Sequence, residues 1–139
     1  MLASGRLPTE AEWNFAAAGG DEQRQYPWSN PPNSMTIDSS YAVYAGLPIA
    51  VVGSRPTGDG KFGQADLAGN VEEWNLDWYA DPYSDLTCDN CASAQPWLYR
   101  VVRGASWSLS FAYLVSSMRF GSAPLTHAIY NGARCARNP

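Results

Sequence analysis

Lysine is almost missing from this chain. Lys61 stands beside eight arginines, and thirteen Asp and Glu outnumber those nine cations. With no basic stripe anywhere, the sequence lacks the electrostatic footprint of a nucleic-acid binder. It also lacks a long apolar run: none approaches the ~20 residues that cross a bilayer as a helix. The opening "MLASGRLPTE" has neither a basic n-region nor an apolar h-region, so it does not read as a secretory leader. Histidine occurs once, and His127 in "PLTHAIY" reads as a loop residue more readily than as a ligand. Cysteine occurs three times. Cys88 and Cys91 form a C-x-x-C in "LTCDNCAS", without the second pair that a closed zinc site needs. A local disulfide is preferred there over free thiols, and Cys135 is then left without a partner in the chain. No internal repeat and no low-complexity tract is present, so 139 residues read as one domain, 1–139, with a core of its own.

What is abundant is aromatic. Six tryptophans and eight tyrosines fill cores, but they also line sugar and peptide sites, since each ring carries a polar tip. The first element is "LPTEAEWNFAAAGG". Thr9 followed by Glu12 makes a capping box, Pro8 and Trp13 hold the staple positions, and Gly19 ends the helix. A short helix over 10–18 is predicted, packed on Trp13, Ala16 and Ala17. "YPWSNPPNS" is irregular because Pro27, Pro31 and Pro32 block helix and central strand. "YAVYAGLPIAVVGS" suggests a strand or two, and "RPTGDGKFGQADLAGN" is turn chemistry. "WLYRVVRGASW" alternates as a strand, and "NGARCAR" is a plausible last one. Loops make up most of the chain.

Glu72 and Glu73 in "DLAGNVEEWNLDW" invite an acid/base reading. Neighbours on a strand face opposite sides, so the two do not work together. Asp66 and Glu73 are better placed to converge, since they flank a tight turn at Gly69 and Asn70. Carboxylates with inward carbonyls suit a hard cation such as calcium, although the EF-hand spacing is absent. The competing reading is that Asp66 and Glu73 cap the turn and pair with an arginine.

Four motifs in order, "RLPTEAEW", "YPW", "FGQADLAGNVEEW…DWY" and "RVVRGASW…GARCAR", resemble the sulfatase-modifying factor domain of formylglycine-generating enzymes. The resemblance covers nearly the whole chain. It implies an α+β, loop-rich fold similar to the C-type lectin fold. It implies calcium ligands at Asp66, Gly69, Val71 and Glu73, with Gly69 and Val71 giving carbonyls only. It places the usual partner of Cys135 just upstream of Arg6, beyond Met1. The chain is then either the C-terminal part of a larger domain or a variant that keeps this thiol free. At Glu72 the family pattern has a tryptophan beside the active site, so the departure turns an apolar wall into a charged one.

The same resemblance speaks to chemistry. Formylglycine formation uses two cysteines that hold Cu(I), and soft thiolates are what select that ion. Gly104, Ala105, Ser106 and Trp107 match the turn before them, but Leu109 and Leu114 stand at the two cysteine positions. No copper and no formylglycine synthesis are expected. Cys88 and Cys91 lie on another loop, and His127 alone cannot supply the iron site of the sulfoxide-synthase branch. The expected function is a non-oxidase, calcium-stabilised binding or accessory module outside the cytoplasm, taking a protein, peptide or glycan. The alternatives are a formylglycine-generating or related oxidase, and a variable ligand-binding protein of a diversity-generating retroelement. The segment 108–129 would then carry recognition through Ser106, Trp107, Phe111, Tyr113 and His127, its rigid aromatics mixed with small residues as in antibody loops. Phe111, Leu114 and Met118 read equally as core. Arg103, Arg119 and Arg134 are expected to be buried framework residues that bond loop carbonyls.

Overall fold

Thr9 opens the one α-helix among the described residues. Its hydroxyl accepts from the Glu12 amide while the Glu12 carboxylate accepts from the Thr9 amide, so the predicted capping box is in place. Helix α1 runs Glu10–Ala17, and the chain leaves it through Gly19 at a left-handed φ of 68°. The computed structural model describes residues 5–80, 92–93 and 96–137. The Cys88–Cys91 pairing lies outside them.

Four strands form one sheet: β1 Glu72–Trp78, β2 Arg100–Arg103, β3 Arg119–Ser122 and β4 Asn131–Gly132. Their order is β3-β2-β1-β4, with β1/β2 and β2/β3 antiparallel and β1/β4 parallel. Short 3-10 turns at Gly20–Glu22, Pro56–Gly58 and Phe111–Tyr113 punctuate long loops. Two strand expectations need correction. No strand forms over 41–54; Val51 and Val52 are 83% and 77% exposed there, with no strand among the described residues paired to them. "NGARCAR" contributes only the two residues of β4 and a lone bridge from Ala136 to Arg6. The alternation over 99–104 also does not sort inside from outside: Val101, Val102 and Arg103 are all buried, because the sheet is covered on both faces.

One face meets α1. Trp13 and Ala17 pack with Leu67, and the Trp13 indole N–H donates to Glu73 at 2.7 Å. The Arg103 guanidinium lies 4.8 Å from the Trp13 ring centre and donates to Asn14 and to the carbonyls of Ser116, Ser117 and Met118. Arg119 forks onto Glu10 and donates to the Ala80 carbonyl. Arg103 is therefore the buried framework residue expected of it, while Arg119 bonds a loop carbonyl but is only half-buried. They hold loops that have no ladder of their own, which is how so little regular structure supports a core. The second core lies toward the loops: Tyr26, Trp28, Ala42, Ala68, Ala105 and Leu114, with Phe120 of β3 packed against it. Trp28 sits between Tyr26 and Tyr41, at 5.1 and 5.3 Å between ring centres.

Candidate functional site

The turn from Asp66 to Val71 leads straight into β1. Gly69 has φ 78°, and a Cβ there would lie 2.5 Å from the Val43 carbonyl oxygen, so only glycine fits. Its amide donates to Gly104 and the Asn70 amide to Val43, pinning the turn between two loops. Asp66 and Asn70 also adopt left-handed φ values, 54° and 62°. This local geometry fixes where Glu72 and Glu73 enter the sheet.

The two predicted acidic ligands have separate partners. Asp66 accepts from the Gly53 amide at 2.7 Å. Glu73, buried, accepts Arg134 on both oxygens, at 2.6 and 2.7 Å, as well as the Trp13 N–H. Arg134 donates further to the Ala65 carbonyl, next to Asp66. A guanidinium thus clips the two ends of the turn where a cation was expected. Among the described residues no group of three or more His, Cys, Asp or Glu is placed to hold a metal ion. As arranged, these residues fit an arginine at Glu73; calcium shared between Asp66 and Glu73 would need Arg134 to withdraw. Gly69 is buried and Val71 half-buried at the turn's centre.

Leu114 is 1% exposed, locked among the rings of Tyr26 and Trp28, and Leu109 packs against the same cluster. Neither side chain can coordinate anything. Ser106 is buried with its hydroxyl 3.1 Å from that of Ser108. The Trp107 amide donates to the Asn70 carbonyl, while its buried indole N–H has no partner among the described residues. Phe111 and Tyr113 are 53% and 42% exposed. Of the three residues that also read as core, only Leu114 is buried; Phe111 projects outward and Met118 is half-buried. His127 is exposed, and so are Leu125, Ile129 and Tyr130. The segment therefore buries one anchor and presents several apolar side chains. A cleft of about 450 Å³ opens elsewhere, between α1 and β3, beside Asn14, Phe15, Arg103 and Arg119. It includes none of the residues the sequence singled out for binding.

Two features escaped the sequence. Glu72 reads as a charged wall, but it is buried at 8% exposure; its amide donates to the Tyr130 carbonyl, and its carboxyl has no hydrogen bond or ion pair among the described residues. Burial pushes its carboxyl above the usual range. Asn131, its register partner on β4, was not singled out at all, because only strand pairing brings it there. Cys135 is a free, exposed thiol lying near Gly5.

Comparison with known proteins agrees with this architecture. The chain shares 35% identity over 136 residues with "Serine/threonine-protein kinase pkn1" of Chlamydia pneumoniae, across 96% of this chain and 21% of that one. It shares 30% over 154 residues with the "Formylglycine-generating enzyme" of Thermomonospora curvata, across 99% and 50%. It shares 33% over 147 residues with the "Inactive C-alpha-formylglycine-generating enzyme 2" of Mus musculus, across 94% and 42%. The chain thus spans half or less of each of these relatives. Among solved structures, PvdO from Pseudomonas aeruginosa superposes with TM-score 0.83 at 26% identity, over 97% of this chain and 53% of that one. Treponema denticola variable protein 1 does so with TM-score 0.74 at 29% identity, over 97% and 48%. The loop-rich α+β fold is therefore the fold of formylglycine-generating enzymes, as the motifs implied. Residues 1–139 match the family described as "Sulfatase-modifying factor enzyme 1-like domain", and the chain belongs to that family.

Proposed function

We propose that this domain is a non-oxidase binding or accessory module of the family, which recognises a protein, peptide or glycan through the 108–130 segment. The observation that carries the reading is the pair Leu109 and Leu114. The family resemblance puts Cu(I)-binding thiolates at these positions, and leucine offers copper no electron pair. Leu114 is also buried in a cluster with Tyr26 and Trp28. Recognition is supported by the exposed Phe111, Tyr113, Leu125, Ile129 and Tyr130, which share one segment. Rigid rings on a well-anchored loop lose little entropy on contact.

The test is copper-dependent oxygen consumption with a cysteine-containing sulfatase peptide. No turnover above buffer is expected, and turnover would overturn the reading. A second reading, a variable display protein, draws on the likeness to Treponema denticola variable protein 1. It predicts sibling sequences that differ mainly within 108–129, at adenine-containing codons. Siblings that differ evenly along the chain would remove it.

A further inference from the structure

The cleft between α1 and β3 holds about 450 Å³, within the ~300–1,000 Å³ of small-ligand sites. Its floor is rigid. Arg119 grips the Glu10 carboxylate at 2.6 and 2.8 Å, and Arg103 lies 3.7 Å from the same group. The side chains of Glu10 and Arg103 are almost wholly buried, so neither swings aside. Asp21 brings a second carboxylate to the lining, and the formal charges there cancel, two guanidiniums against two carboxylates. A charged ligand of either sign would meet a like charge on the wall.

Two amides line the same cleft, and each is held by one end. Asn14 Oδ1 accepts from Arg103 at 2.6 Å, which leaves Nδ2 as a donor with no hydrogen bond among the described residues. Gln23 does the reverse: its Nε2 donates to the Gly20 carbonyl at 3.0 Å, and its Oε1 remains an acceptor. An amide fixed at one end cannot flip, so this donor and this acceptor are set before a ligand arrives. Gln23 also has a left-handed φ of 52°, a strained conformation of the kind that collects at functional sites. Ser117 adds a hydroxyl, which both donates and accepts.

One wall is an aromatic ring. Phe15 is more than half exposed, yet Phe62 stacks on it with ring centres 5.6 Å apart and planes 2° from parallel. Gly20 meets the ring edge, where a Cβ would come within 3.2 Å of it. Phe15 is thus a braced flat surface beside fixed donors and acceptors. Mixed donors and acceptors suit hydroxyl groups, because each hydroxyl does both. A pyranose adds a face of C–H bonds that lies flat on an aromatic ring while its hydroxyls point to the sides. An apolar ligand would leave the two amides unpaired.

We propose that this cleft binds a neutral saccharide, with Phe15 under the sugar ring and Asn14, Asp21, Gln23 and Ser117 around its hydroxyls. The site goes beyond the binding-module reading, since Phe111, Tyr113, Leu125, Ile129 and Tyr130 are not among the residues that line it.

The experiment titrates the whole protein with maltose, cellobiose, lactose and N,N′-diacetylchitobiose, following the side-chain amide resonances of Asn14 and Gln23. Sorbitol, which has the hydroxyls without the ring, and acetyl-Gly-Gly-Gly-amide, which has neutral amides instead, are the comparison ligands. At least one disaccharide should bind saturably and shift both resonances, while sorbitol and the peptide do not. Phe15→Ala should weaken that binding about tenfold. Asp21→Asn should weaken it severalfold, and its exposed side chain makes it the variant safest for folding. No saturable binding of any of the four sugars would overturn the site. So would equal binding of sorbitol or the peptide, shifts confined to other residues, or unchanged affinity in either variant. The copper assay bears on the non-oxidase reading alone, so the two readings fail independently.

Discussion

Leu114 shows how one side chain can separate fold from chemistry. At 1% exposure among Tyr26, Trp28 and Ala105, it fills the second core. Leu114→Ala should cost about 2–5 kcal/mol in urea unfolding, the range for a buried leucine that leaves a cavity. At Glu12, the Arg6 guanidinium holds the carboxyl down at about 2, from an ordinary 4.5. A lowered folded value means stability that is present above the ordinary value and lost as pH falls toward about 2. Glu12→Gln should therefore destabilise by about 1 kcal/mol at pH 7. Its Tm should converge on that of the wild type near pH 2, and an equal deficit at both pH values would contradict the ion pair. Glu12 was readable in advance because its partners are local: Thr9 is three residues away, within one turn. Glu72 was not. Its surroundings depend on a strand that returns at Asn131, and nothing near Glu72 in sequence announces that neighbour.

Among elements, the turn before β1 is tightly held against its neighbouring loop. Gly69→Ala would push a Cβ to 2.5 Å from the Val43 carbonyl, in a left-handed backbone as well. The loss should exceed the ~1 kcal/mol of an ordinary exposed Gly→Ala mismatch, as a drop in Tm would report. Arg134 clips the same turn, so Arg134→Ala should destabilise it by leaving Glu73 buried and uncompensated. A chelator should leave the wild-type Tm unchanged, because the guanidinium already answers Glu73; a chelator-sensitive Tm would show that Arg134 gives way to a divalent ion. The sequence foretold α1 and β2 because caps and β-branched runs act locally. It promised a strand over 41–54 that did not form, since Ile49, Val51 and Val52 have the right composition but pair with no strand among the described residues. The arginine framework was legible by type, but not by partner: which carbonyls Arg103 reaches depends on the path of the 115–118 loop.

Across the whole molecule, loops outnumber ladders, and buried arginines and stacked rings take the place of regular structure. The family was legible in four spaced motifs, each of which builds a structural feature: the helix cap, the aromatic stack, the pinned turn and the β2 strand. The 108–130 segment was legible only as a segment, because sequence does not show which of its side chains turn outward; Phe111 does and Leu114 does not. Thiol counting by intact mass belongs to this scale. One alkylated cysteine is expected, the exposed Cys135, with Cys88 and Cys91 bridged; three would place the protein in a reducing compartment.

The bridge between Arg6 and Ala136 is two reciprocal hydrogen bonds, of 3.0 and 2.7 Å. It makes the polypeptide a nearly closed ring, entered and left at one doorway. A circular permutant that joins the present ends by a short Gly-Ser tether, and is opened between Val51 and Val52, should keep the native Tm within a few degrees. Arg6 and Ala136 are thereby fixed side by side, with Ala136 only six residues beyond Tyr130, so a change in the 108–130 segment would be felt first at this closure.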